Sequence, residues 1–143
     1  MSDLYTESTL IDVLNDLRAR ELGVIMQYMR QHYTATGPEG MLLADEFKSI
    51  AITEMKHAEE LAERIDFLGG DPTTIPTHIV KTDNNLAAMA EADLASEEEA
   101  VALYTKAIAQ ALKEGDVTTR RLLESILADE EDHVATFRAM LGK

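Results

Sequence analysis

Ile50-Ala51-Ile52-Thr53-Glu54-Met55-Lys56-His57-Ala58-Glu59-Glu60-Leu61 is the stretch that decides the fold. Ile50, Glu54, His57 and Leu61 recur in steps of four and three, the spacing of one face of an α-helix. Extended both ways, the stripe reads Leu43, Phe47, Ile50, Glu54, His57, Leu61, Ile65 and Leu68, apolar except at its centre. A helix that buries this stripe must bury a carboxylate and an imidazole with it, and the rest of the chain has to compensate for them.

Three other stripes have the same form. One reads Leu10, Leu14, Leu17, Glu21, Val24 and Tyr28; another reads Leu86, Ala90, Leu94, Glu97, Val101, Tyr104 and Ile108; the last reads Leu123, Ile126, Glu130, His133, Phe137 and Met140. They lie in blocks spanning roughly residues 9–36, 39–68, 84–114 and 117–141, separated by the strongest helix breakers in the chain. With 143 residues, 45% hydrophobic content and only three prolines, the sequence predicts a single all-α domain over residues 1–143. Short connections at Thr36-Gly37-Pro38-Glu39-Gly40 and Glu114-Gly115-Asp116 make antiparallel hairpins. Between the hairpins, the irregular segment from Gly69 to Asp83 can extend to about 50 Å, enough to traverse a helix about 42 Å long. The predicted architecture is a four-helix bundle of two antiparallel hairpins joined by a long crossover.

Four glutamates in one core would repel one another and cost several kcal/mol each unless a cation neutralised them. The stripes carry no lysine or arginine at that level, and the nearest candidate, Arg64, stands about two turns beyond His57. Two divalent cations would balance four carboxylates with both histidines neutral. Glutamate and histidine three residues apart share a helical face and can reach one metal. Two such pairs plus one glutamate from each remaining helix is the donor set of di-iron and di-manganese carboxylate bundles. With no cysteine in the chain, thiolate ligands and thiol nucleophiles are excluded.

Glu21, Tyr28, Glu54 and His57 map onto Glu97, Tyr104, Glu130 and His133 by a constant offset of 76 residues. The offset selects Glu97 from the run Glu97-Glu98-Glu99 and leaves Glu98 and Glu99 to solvent, as helical angle leaves Glu131 and Asp132. Tyr28 and Tyr104 are candidates to support the ligand carboxylates, although core packing alone would also account for them. His32 and His78 lack acidic partners at ligand spacing and are expected at the surface. Leu22, Ile25, Met26 and Met29, with Ile52 and Met55, form a second apolar surface that implies at least a homodimer. A formal charge of −14 disfavours nucleic acid and anionic lipid, and favours cations. The segment MSDLYTESTL has no leader pattern and no stretch reads as a membrane span, so a cytoplasmic location is expected.

The chain resembles bacterioferritin through Arg20-Glu21-Leu22, Gln27-Tyr28, Thr53-Glu54-Met55-Lys56-His57-Ala58 and Asp129-Glu130-Glu131-Asp132-His133, a likeness that covers nearly its whole length. The resemblance implies a ferritin-like four-helix bundle holding two iron ions, with Glu54 and Glu130 bridging them. Glu21 with His57 would complete one iron site, and Glu97 with His133 the other. It also implies ferroxidase activity, in which dioxygen or peroxide oxidises Fe2+, and ferric mineral collects in a homo-oligomeric shell. Met55 coincides with the family's haem-ligand methionine at a subunit interface, where methionine also packs without any cofactor. Ser49 and Thr53 stand where the family has an inner-surface iron site, and the sequence given stops at Lys143, before the family's fifth short helix; both weaken the expectation of a storage cage more than that of oxidation. No residue pattern names an electron-transfer partner. Two alternatives use the same bundle: a rubrerythrin-like peroxide reductase, usually accompanied by a cysteine-rich segment, and a Dps-like protective shell, usually accompanied by basic tails.

Overall fold

The computed structural model describes residues 8–143. Four helices are present: α1 (Leu10–Thr34), α2 (Gly37–Phe67), α3 (Leu86–Lys113) and α4 (Val117–Met140). Their ends follow local chemistry. Thr9 caps α1 in a reciprocal box with Asp12, the Asp12 N–H donating to Thr9 Oγ1 at 3.1 Å. Asn85 caps α3 by accepting from the Ala88 N–H at 3.0 Å. α2 starts two residues earlier than expected because Pro38 falls in its first turn, where a missing N–H costs nothing. Gly69, at φ +89°, ends it in the left-handed conformation that glycine adopts without penalty.

α1 packs chiefly on α2 and α3 on α4, with α1 also touching α3 and α2 touching α4. The crossover runs along α1 from its N-terminal to its C-terminal end. Asn15 Nδ2 donates to the Asp71 carbonyl at 3.0 Å, the Thr77 N–H to the Ala19 carbonyl at 3.0 Å, and the Val80 N–H to Gln27 Oε1 at 3.0 Å; at the far end the Thr36 N–H donates to the Asn84 carbonyl at 2.9 Å. The segment lies so close that a Cβ on Gly23 would meet Thr77 Oγ1 at 2.6 Å. This path returns the chain to the end of the bundle where α2 began, so α2 and α3 run parallel and each hairpin is antiparallel. No helix among the described residues is long and apolar enough to cross a membrane.

The core is divided. One cluster gathers Leu14, Leu17, Leu61, Ile65, Leu123 and Ile126, among others, and a second gathers Val24, Phe47, Ile50, Met89, Val134 and Phe137. Between them lies the polar level that interrupts every stripe. At the end of the first cluster, Asp116 accepts from the Thr119 N–H at 3.0 Å, the Thr119 hydroxyl at 2.6 Å and Arg64 Nη2 at 2.9 Å, tying the start of α4 to the last turns of α2. Burial pushes the Asp116 pKa up, but the Thr119 and Arg64 contacts together outweigh it and hold the value below the ordinary one. Its contribution is therefore present above the unfolded pKa of about 3.9 and lost as pH falls through the lower folded value. Asp116→Ala is expected to lower stability at pH 7 by about 1–2 kcal/mol, and Asp116→Asn, which keeps the cap, by less. Chemical denaturation of the three proteins checks this order.

Candidate metal centre

The level between the two clusters is built by all four helices. α1 supplies Glu21, α2 supplies Glu54 and His57, α3 supplies Glu97, and α4 supplies Glu130 and His133. All four glutamates are fully buried, and His57 and His133 are buried with them. The six form two overlapping groups, Glu21, Glu54, His57 and Glu130, and Glu54, Glu97, Glu130 and His133, with the donor atoms of each group within 4.8 Å of one another. Glu54 and Glu130 belong to both. His57 Nδ1 lies 2.8 Å from Glu54 Oε1, 3.4 Å from Glu21 Oε2 and 3.8 Å from Glu130 Oε1. His133 Nδ1 lies 2.7 Å from Glu97 Oε1, 3.1 Å from Glu130 Oε1 and 3.8 Å from Glu54 Oε1. The imidazole ring centres are 6.5 Å apart.

One expectation is overturned. The level does contain a protein cation: the guanidinium of Arg20, 5% exposed, contacts Glu97 Oε2 at 3.1 Å, Glu130 Oε2 at 3.4 Å and Glu21 Oε1 at 3.8 Å. It also donates to the Ser96 carbonyl. Arg20 sits one residue off the α1 stripe, but its long stem carries the charged head around the helix to the core. Arg64, by contrast, is engaged by Asp116 and Thr119. Asp129 adds an opposite charge, accepting from His57 Nε2 at 2.8 Å, a contact that orients the ring so that Nδ1 faces the glutamates. Arg20 and Asp129 thus offset one another in the charge count.

The tyrosines part company. Tyr104 donates to Glu21 Oε2 at 2.5 Å, whereas the Tyr28 hydroxyl is buried without a hydrogen-bond partner, its ring 5.7 Å from that of Phe137. Glu98, Glu99, Glu131 and Asp132 are exposed, as is His78, while His32 is only half-buried and contacts the Ala44 carbonyl at 2.8 Å. Met55 lies outside the level on the surface, 52% exposed, with Met26 and Ile52 also exposed. A second buried polar group went unread in the sequence: Asp93 Oδ1 accepts from Gln27 Nε2 at 2.9 Å and Gln31 Nε2 at 2.7 Å. Its signal was available, since Asp93 precedes Glu97 by four residues on α3.

Without a metal, protons do the neutralising. Burial and then the neighbouring Glu21, Glu97 and Glu130 charges push Glu54 well above the ordinary carboxylate range, and burial with Glu21 raises Glu130 to about 7. Burial alone would also raise Glu97, but its hydrogen bond to His133 and the Arg20 charge hold it low. Burial opposes the charged imidazoles, yet Glu21 and Asp129 lift His57 to about 9, and Glu130 and Glu97 lift His133 to about 10. With Arg20 set against Asp129, two imidazolium ions and a proton on Glu54 leave one carboxylate charge unbalanced, and the proton that Glu130 takes up below about pH 7 supplies the remainder.

Residues 11–143 match the ferritin family, described as a ferritin-like domain. Over 131 residues the chain is 39% identical to bacterioferritin of Desulfovibrio desulfuricans, spanning 92% of this chain and 73% of that protein. The chain belongs to the bacterioferritin branch of the ferritin-like family. An X-ray structure of D. desulfuricans bacterioferritin, described for its diiron site in different catalytic states, superposes with a TM-score of 0.86 over 92% of this chain and 77% of that one, at 39% identity. A ferritin-like diiron-carboxylate protein from Bacillus anthracis gives 0.88 at 33% identity, over 92% of this chain and 94% of its own.

The pKa values fix the direction of a pH effect on this ferritin-like chain. His57, His133, Glu54 and Glu130 all have folded pKa values above their ordinary ones. Their protonated forms therefore stabilise the metal-free fold at low pH, and that contribution is lost as pH rises through about 7 for Glu130, 9 for His57 and 10 for His133. Metal-free protein is expected to lose thermal stability from pH 6 to pH 10, and Zn2+ binding at pH 7 to release protons. Melting curves, and calorimetric titrations in buffers of different ionisation enthalpy, measure the two effects.

Proposed function

We propose that this protein is a ferroxidase of bacterioferritin type, in which Glu21, Glu54, His57, Glu97, Glu130 and His133 hold two iron ions. The observation that supports this most is the pair of overlapping donor groups sharing Glu54 and Glu130, since two shared carboxylates bring two metals within reach of one oxidant. The donor set also passes a test of fit. Glu21 Oε1, both Glu54 oxygens and His57 Nδ1 are buried with no hydrogen-bond partner, a costly state that a coordinated cation relieves. Oxygen-rich ligation of this kind favours iron over softer metals, and when bound the iron pair supplies the two electrons that dioxygen or peroxide accepts.

The residues around the pair have their own tasks. Glu54 and Glu130 give up protons as cations arrive, so ligand binding and neutralisation are one event. Asp129 fixes the His57 ring through Nε2, and Tyr104 holds Glu21 through Oε2. The apolar clusters above and below exclude bulk water. Fe2+ is the substrate as well as the resident ion, and the acidic surface raises its local concentration. Iron detoxification and storage in a cytoplasmic homo-oligomer follow from this reading. A formal charge of −14 opposes the DNA-protecting alternative.

On mixing metal-free protein with Fe2+ and dioxygen in a stopped-flow cell, a fast ferric absorbance phase is expected that Glu54→Ala removes; an unaltered phase in the variant would refute the assignment. The face carrying Met55, Met26 and Ile52 is the proposed contact between two copies. Haem ligation and simple packing at Met55 are distinguished by the reduced visible spectrum of purified protein: Met55→Leu abolishes a haem band if the thioether is a ligand, and alters nothing in the spectrum if it only packs.

A further inference from the structure

The two halves of the centre are not equivalent. Of the residues that belong to one half alone, Glu21 and His57 each keep a buried atom without a hydrogen-bond partner, and Glu97 and His133 keep none. The second half is instead closed by internal bonds. His133 Nδ1 donates to Glu97 Oε1 at 2.7 Å and Glu130 Oε1 at 3.1 Å, while Arg20 donates to Glu97 Oε2 at 3.1 Å and Glu130 Oε2 at 3.4 Å. Toward Glu21 the guanidinium stands off at 3.8 Å without a hydrogen bond. A cation approaching Glu97 and His133 must break these bonds and displace the guanidinium; one approaching Glu21 and His57 meets buried atoms that hold no hydrogen bond and stands farther from Arg20.

Arg20 also has room to leave. Its outer side borders a cavity of about 440 Å³ between α1, α3 and the crossover, lined in part by Asp16, Gln27, His78, Ser96 and Glu99. The two acidic side chains there can receive a guanidinium that withdraws from the core, with its stem still anchored in α1.

We propose that Arg20 is a tethered counter-ion that occupies the charge position of the second metal, so that divalent cations load in order. The position served by Glu21 and His57 fills first, and the one served by Glu97 and His133 fills second as Arg20 withdraws, with Glu54 and Glu130 common to both. This inference rests on the dinuclear reading above and assigns roles within it.

The test is calorimetric titration of the intact metal-free protein with Zn2+, which is redox-silent, followed by Co2+ with visible absorption as a report on coordination. Two steps of one ion per chain are expected, the second weaker by about 10-fold or more. His57→Ala removes the tighter step and His133→Ala the weaker. Arg20→Gln brings the two affinities to within about 3-fold, and Arg20→Lys, which keeps the charge, preserves the gap. A single two-ion step in the unaltered protein, or a gap unchanged in Arg20→Gln, overturns the proposal while leaving the dinuclear centre standing. Failure to bind two ions at all overturns both readings. The histidine variants test the loading order independently of whether the Arg20 variants fold.

Discussion

Four carboxyl groups share one closed space, and almost everything else in the molecule answers to their mutual repulsion. At an effective interior dielectric constant of about 20, each pair at about 5 Å costs roughly 3 kcal/mol if both are ionised. The metal-free chain reduces that cost in three ways: it protonates Glu54, it keeps both imidazoles charged, and it sends Arg20 inward. Divalent cations held by the same residues would replace the protons. The site is therefore exchangeable in composition while remaining close to constant in charge, which allows a buried polar level to persist between two hydrophobic clusters with or without metal.

The scaffold follows from the same requirement. Donors must come from four directions to surround two cations, and four helices whose stripes are interrupted at one height provide them. That common height depends on the crossover. Bound along α1 from Asn15 to Gln27, tied to Thr36 at the start of α2 and seated against Gly23, it returns the chain to the end at which α3 must begin if Glu97 is to meet Glu21. Asp116 and Arg64 perform a comparable service for α2 and α4 near the opposite end. The apolar clusters supply the adhesion, and these polar ties set the register.

Helix number, the hairpins, the crossover and the convergence of the six polar residues were legible because each is written in periodicity and in the 76-residue offset. Arg20, Asp129 and the Asp93 group were not, and for a physical reason. Periodicity reports where a Cβ points, whereas a long or second-row side chain acts where its terminal atoms arrive. Arg20 points off the stripe and bends back to it; Asp129 flanks a ligand and touches the far side of a ring. The sequence did hold one clue. Offset by 76, Arg20 falls on Ser96 and Asp129 on Thr53, so neither of these charges has a counterpart in the other hairpin. Tyr28 and Tyr104 show the converse: their positions match, but only Tyr104 finds a glutamate to bond.

That partial repeat has a consequence for what a single chain can do. Two separate copies of one helical hairpin, related by a strict twofold axis, would have to offer the same neighbours to both metals, and any arginine added beside one would be added beside the other. Once the crossover links the hairpins covalently, identity is no longer enforced. Ligands can stay matched while their surroundings diverge, with a guanidinium on one flank and a carboxylate on the other. The strap along α1 thus does more than return the chain: it releases the centre from symmetry.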